Sequence, residues 1–138
     1  MPFDARIVEC YNTTVEGYAA EASKLLSLFA RAGVSLLAFK AVSLRPHGLQ
    51  FTLIPNDGSM MTAGADAAGV KLDGPHPALL IQGSDESGAL SEIYDILSRA
   101  NIRASEASGI ADIQGSYGVI LYLGQGDCEK AVAALKGH

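Results

Sequence analysis

The fold of this chain is decided by the stretch Gly88-Ala-Leu-Ser-Glu-Ile-Tyr-Asp-Ile-Leu-Ser-Arg-Ala-Asn101. Its apolar residues recur at the i, i+3, i+4, i+7 spacing of an amphipathic helix, and they are Leu90, Ile93, Tyr94 and Leu97. Sixty-eight residues earlier, the same spacing is held by Ala22, Leu25, Leu26 and Phe29. The two helices also end alike, because Gly33 and Asn101 are the residues that most readily adopt the left-handed conformation after a helix. These matches indicate a duplication.

The segments around the two helices repeat as well. A strand-like run precedes each helix, at 7–11 and 78–81, and two more follow it, at 35–44 with 49–54 and at 103–113 with 119–123. A second helix follows in each half, with Asp57 and Asp127 as capping candidates. Each half is therefore predicted to be β-α-β-β-α.

This order predicts an α+β fold built from two ferredoxin-like βαββαβ repeats with antiparallel sheets. The first repeat is placed at 1–74 and the second at 75–138, with the boundary near Gly74-Pro75-His76-Pro77. A short fourth strand is predicted at 70–73 in the first repeat, whereas the second lacks one of its own. Because an unpaired strand edge invites aggregation, we expect the other repeat or a second subunit to cover it.

Composition restricts the function classes. Of 138 residues, 15 are acidic and 10 basic, and this net charge of -5 disfavours nucleic acid as a partner. Apolar residues make up 49% of the chain, which is enough to fill a core. Cys10 and Cys128 form neither a disulfide framework nor a zinc motif. Neither a signal peptide nor an apolar run of membrane-spanning length is found, so we expect a cytoplasmic protein without a membrane partner.

The sharpest local motif is the D-x-x-G-x-L run from Asp85 to Leu90, which lies between a predicted strand and the helix. Within the duplicated pattern, this run resembles the ACT domain family of small-molecule sensors. The resemblance covers nearly the whole chain, although the motif is clear only in the second repeat. It implies a stand-alone tandem ACT protein that binds an amino acid at an interface between ACT units, is not an enzyme, and forms a dimer that regulates a partner enzyme.

The physical chemistry of the motif agrees with such a site. A helix N-terminus attracts a carboxylate, Gly88 lets a ligand approach the main chain, and Asp85 is suited to an ammonium group. Small residues on the next strand leave room beside the loop. The candidate ligand-binding residues are Asp85, Glu86, Ser87, Gly88, Ala89, Leu90, Ser105 and Ser108. The alternative interpretation is that Asp85 or Ser87 merely caps the helix.

The first repeat departs from the motif. Ala20 aligns with Gly88, so either the helix begins earlier there and Gly17 takes the role of the glycine, or this site is lost.

Other function classes find less support in the sequence. No nucleophile with an adjacent base and no metal-ligand spacing of the histidines is found, so neither an enzyme, a metal site nor a cofactor is expected. The run Gly124-Gln125-Gly126 lacks the third glycine of a dinucleotide-binding fingerprint and is predicted to be a turn. The alternative to a sensor is an interaction module that docks on a partner enzyme without a small-molecule ligand.

Overall fold

The computed structural model describes residues 3–84, 88–124 and 126–137, and these contain six strands and four helices. In chain order they are β1 Phe3–Val15, α1 Ala19–Arg31, β2 Leu36–Ser43, β3 Leu49–Pro55, α2 Gly58–Ala68, β4 Asp73–Ser84, α3 Ala89–Arg99, β5 Ala104–Ala111, β6 Ser116–Leu123 and α4 Asp127–Lys136. The predicted α+β class and the antiparallel βαββαβ-type order are confirmed. None of the helices within the described ranges is both long and apolar enough to cross a membrane.

The chain divides into two compact units. The first unit is Glu9–His76, and the second unit combines Met1–Val8 with Pro77–His138. The predicted repeats at 1–74 and 75–138 concern duplication along the sequence, which a division by packing does not test, and they stay a prediction.

The first unit has the strand order β2-β3-β1-β4. Both β1 and β2 pair antiparallel with β3, so that Thr13 lies opposite Phe51. Helices α1 and α2 contact each other. Their inward side chains and those of the strands form one buried core, which comprises Tyr11, Leu25, Phe29, Val34, Phe51, Leu53, Met61 and Ala65.

The second unit has the strand order β1-β4-β6-β5, in which β1 contributes its residues 3–8. In a ferredoxin-like unit the fourth strand lies beside the first, and here residues 3–8 occupy that position next to β4. Phe3 is only 5% exposed because it packs into the core of this unit. The other large members of that core are Leu79, Ile81, Ile93, Ile96, Leu97, Ile102, Val119, Leu121 and Leu135. The second unit therefore completes its sheet with the start of the chain.

The predicted short strand at 70–73 is wrong. Residues 70–72 are not in a strand, and β4 begins at Asp73 and continues without a break to Ser84. Gly74, which the sequence suggested as a boundary residue, has a φ of +143° inside this strand. A Cβ atom on Gly74 would lie 2.7 Å from the carbonyl oxygen of Cys10. This close approach explains why glycine is needed there.

The predicted helix ends are confirmed. Gly33 and Asn101 have positive φ angles of 85° and 56°. In both places the next residue closes the helix in the same way: the N–H of Val34 donates to Phe29 O at 3.0 Å, and that of Ile102 donates to Leu97 O at 2.9 Å.

Of the four apolar residues at helical spacing in α3, only two are buried. Ile93 and Leu97 are buried as expected, but Leu90 is 54% and Tyr94 45% exposed. Ala89 and Ile96 are buried instead. The stripe is therefore rotated about the helix axis, because Ala89, Ile93 and Ile96 also follow the i, i+4, i+7 spacing. As a result, Leu90 lies at the edge of the packed face.

Of the two predicted helix caps, Asp57 is confirmed for α2 and Asp127 is wrong for α4. Asp57 precedes α2, and its carboxylate accepts hydrogen bonds from the N–H groups of Ser59 at 3.0 Å and Met60 at 3.3 Å. Asp127 is not a cap, because it is already the first residue of α4 and follows Gly126, whose left-handed conformation begins that helix.

The Asp57 cap predicts a pH dependence of stability. The hydrogen bond from the Ser59 hydroxyl and those from the two N–H groups lower the pKa of Asp57 below its ordinary value. A carboxyl group with a lowered pKa stabilises the fold above its unfolded pKa, and this stabilisation is lost as pH falls through the folded pKa. We expect the melting temperature of Asp57→Ala to lie below that of the wild type at pH 7, and the gap to narrow on acidification. Thermal unfolding between pH 7 and pH 2 measures this, and a gap that stays constant would contradict it.

Candidate functional site

The start of α3 is the centre of the candidate site. Asp85, Glu86 and Ser87 lie outside the described residues. Gly88 precedes α3 with a φ of +89°, and its carbonyl accepts the first helical hydrogen bond, from the N–H of Glu92 at 2.9 Å. Chain neighbours aside, no heavy atom of the described residues comes within 4 Å of where a Cβ on Gly88 would be. The backbone at the beginning of the helix is therefore accessible from this side.

A groove of about 440 Å³ opens beside this helix start, and we call it the α3 groove. One wall is the first turn of α3, and the other is formed by the end of β5 and the beginning of β6. It is lined by Gly88, Ala89, Leu90, Ser91, Gly109, Ile110, Ala111, Tyr117, Gly118 and Val119. This volume lies within the roughly 300–1,000 Å³ of small-molecule sites.

Two glycines in the strand wall add no side chains that would fill the groove. Gly109 lies opposite Val119 in the β5–β6 pairing, and a Cβ on Gly109 would be 3.3 Å from Val119 Cγ2. That distance is tighter than an ordinary contact, so a side chain here would push into its neighbour. Gly118, in the facing strand, likewise adds no side chain. The volume that side chains would occupy at these two positions is therefore part of the groove.

The α3 groove offers two kinds of environment. At its helical wall, the N–H groups of the first turn have no partner within the helix and lie at the positive end of the helix dipole. Elsewhere the side chains are mostly apolar, with Leu90 and Val119 as examples. This arrangement suits a small molecule that carries a carboxylate on one end and an apolar group on the other.

The structure brings some of the candidate site residues together. Gly88, Ala89 and Leu90 line the α3 groove. Ser105 and Ser108 are not among the lining residues, and the Ser105 hydroxyl donates to Tyr122 O at 3.0 Å. The ligand-binding role of all eight candidate residues stays a prediction.

Several groove residues were missed from the sequence, and they are Ser91, Ile110, Ala111, Tyr117, Gly118 and Val119. Most of them belong to the β5–β6 hairpin, whose register determines which residues face α3. Asp112 is the signal for that register, since its carboxylate accepts from the N–H groups of Gln114 and Ser116 and closes the turn. The position of Asp112, four residues before the start of β6, is typical of an Asx turn.

The corresponding helix start of the first unit is more crowded. Helix α1 begins at Ala19, one residue before the position that aligns with Gly88, and Gly17 has a φ of +104°. A Cβ on Gly17 would meet Glu21 Cγ at 2.6 Å. Tyr18 reaches across to the β2–β3 turn, where its ring contacts that of His47 edge-on at 6.3 Å. The two helix starts therefore differ in access.

The cysteines are structural in character. Cys10 on β1 and Cys128 on α4 are both buried and form no disulfide with each other. Burial raises the pKa of the Cys10 thiol, Asp73 adds to this, and Lys40 partly opposes it. A thiol with a raised pKa stays protonated near neutral pH and is a poor nucleophile. Among the described residues, no three His, Cys, Asp or Glu side chains cluster as metal ligands do.

Comparison with known proteins shows which solved structures share this fold. No protein-family model matches the sequence, and no curated protein matches it. Solved structures do match. A Bacteroides thetaiotaomicron protein superposes with a TM-score of 0.81 at 15% identity, covering 96% of this chain and 89% of that one. The regulatory subunit of aspartate kinase from Thermus thermophilus, in its ligand-free form, gives a TM-score of 0.63 at 12% identity and covers 96% and 95%.

A second regulatory subunit of aspartate kinase, from Thermus flavus, gives a TM-score of 0.60 at 10% identity and covers 99% of this chain and 96% of that one. The chain shares the fold of these regulatory subunits over nearly its whole length. At such low identity, the likeness shows the fold alone.

Proposed function

We propose that this chain is a non-enzymatic regulatory module of the ACT type, which binds a free amino acid in the α3 groove. The observation that carries the proposal is the groove itself, which joins an accessible helix start at Gly88 to an apolar wall. The first-turn N–H groups of α3 would receive the carboxylate of the ligand, as helix N-termini do for other anions. Asp85 would receive its ammonium group.

Two further observations support a regulatory role. The motif from Asp85 to Leu90 resembles the ACT family, whose members are mostly regulatory modules. The fold is shared with regulatory subunits of aspartate kinase. We propose that the site is completed at an interface between ACT-like units of a dimer, and that ligand binding there changes the activity of a partner enzyme. Coupling of this kind is typically about 1–3 kcal/mol.

Thermal shift against the twenty amino acids at millimolar concentration tests the proposal. A ligand present at 100 times its Kd adds about 2.7 kcal/mol to the free energy of unfolding, so a true ligand raises the melting temperature by several degrees. Absence of a shift with every amino acid would contradict the proposed function.

A pair of tryptophan variants on β5 locates the site. Ala111→Trp places a large ring in the α3 groove, and we expect it to abolish the shift. Ala107→Trp is the matched control, because Ala107 is exposed on the same strand but does not line the groove. We expect it to retain the shift, whereas an unchanged shift in Ala111→Trp would show that the ligand binds elsewhere.

The second candidate function is docking on a partner enzyme without a small molecule. It is favoured by the edge strand β2, on which Leu37, Phe39 and Val42 are exposed. Exposed apolar side chains along a strand edge are typical of an interaction surface. A pull-down distinguishes this function from sensing. Docking is favoured if the wild type recovers one enzyme, if Phe39→Lys no longer recovers it, and if neither Ala111→Trp nor added amino acids change its recovery.

A further inference from the structure

We infer that the α3 groove selects amino acids with apolar, uncharged side chains, such as leucine, over those with charged side chains. This inference rests on the proposed function, because it concerns which ligand class the same groove accepts. It goes beyond that function by predicting how individual amino acids rank in affinity.

The chemical character of the lining carries the inference. None of the described residues that line the groove is charged. The lining side chains are Ala89, Leu90, Ile110, Ala111, Tyr117 and Val119, which are apolar or aromatic, and Ser91, which is polar but uncharged. A ligand side chain that enters beyond the helix start therefore meets a surface that is mostly hydrocarbon and carries no charge from the described residues.

Charged side chains in two places on the segments around the groove have partners of their own. The carboxylate of Asp112, next to the lining residue Ala111, accepts from Gln114 N at 2.8 Å and from Ser116 N at 3.0 Å. Further along α3, Arg99 and Asp95 pair with each other at 2.6 Å. A charged ligand side chain would thus lose its hydration without gaining an opposite charge from the described lining residues.

The exposure of Leu90 explains how an apolar ligand gains affinity. Leu90 is 54% exposed at the edge of the groove, although the helix around it is packed. A ligand side chain that covers it removes apolar surface on both partners from water. Each buried methylene contributes about 0.8 kcal/mol, which is about fourfold in affinity. Alanine has three carbons fewer than leucine, so it should bind about 60-fold more weakly.

Calorimetric titration with norleucine and lysine tests the inference directly, because the two side chains have the same four-carbon length and differ in the terminal ammonium. We expect norleucine and leucine to bind at least tenfold more tightly than lysine and glutamate. Leu90→Ala should weaken leucine binding about threefold to tenfold and leave alanine binding nearly unchanged. Tyr94→Ala, one turn further along the exposed side of α3 and outside the groove lining, is the matched control and should change neither.

The outcomes separate the two proposals. If lysine binds as tightly as norleucine, or if Leu90→Ala and Tyr94→Ala act alike, the selectivity is refuted while amino-acid binding stands. If no amino acid binds the wild type, the proposed function itself fails.

Discussion

Replacing Phe3 with alanine should lower the free energy of unfolding by about 3–5 kcal/mol, the usual cost of truncating a buried phenylalanine. Phe3 is 5% exposed and packs among the core residues of the second unit. Because this loss is a large share of a typical stability of about 5–15 kcal/mol, we expect it to unfold that unit preferentially. Urea denaturation measures the total effect.

Hydrogen exchange shows where the effect of Phe3→Ala falls. We expect amide protection to be lost first in β4, β6 and α3. Ile7→Ala is the matched control, because Ile7 is on the same strand but exposed, and it should cost less than about 1 kcal/mol. Loss of protection confined to β2 and β3 would contradict the assignment of residues 3–8 to the second unit.

Replacing Gly74 with alanine should destabilise the protein by about 2–5 kcal/mol. A positive φ costs an L-residue about 1–2 kcal/mol, and overpacking adds about 1–3 kcal/mol. The added Cβ would lie 2.7 Å from the carbonyl oxygen of Cys10, a backbone atom that cannot turn aside as a flexible side chain can.

Gly69→Ala separates the two causes. Gly69 also has a positive φ, of 73°, but nothing lies within 4 Å of its Cβ position. This control should therefore cost only the conformational part, about 1 kcal/mol. Equal effects of the two substitutions in chemical denaturation would show that the contact with β1 is unimportant.

Local signals in the sequence predicted the helices and their ends well. Gly33 and Asn101 mark the ends correctly because the left-handed conformation after a helix is a property of single residues. Asp57 was recognised as a cap for the same reason, since its carboxylate bonds to N–H groups only two and three residues away. Each of these features depends on neighbours along the chain.

Features that depend on distant residues were not predicted. The strand at 70–73 was misplaced because Gly74 and Pro75 usually mark turns, whereas here they lie inside β4 and beside β1. The length of β1 was also underestimated, because Asp4 and Arg6 interrupt its apolar pattern at exposed positions.

The sequence predicted one wall of the candidate site, at the start of α3, but not the opposite wall. The helix start at Gly88 was evident from the motif, and Gly88, Ala89 and Leu90 do line the α3 groove. The opposite wall depends on the register of β5 with β6, where a shift between Ala104 and Glu106 changes which residues face the helix. Counting alternate residues from the beginning of the strand cannot find such a shift.

The position of residues 3–8 also has a consequence for biosynthesis. A ribosome makes this segment before β4, its neighbour in the second unit, which emerges only some seventy residues later. Glu9–His76 has all its strands as soon as it has left the exit tunnel, but the leading segment has to wait for the trailing half. The order of translation therefore makes closure of the second unit the late event, and until then a chaperone would meet residues 3–8 without their partner strand.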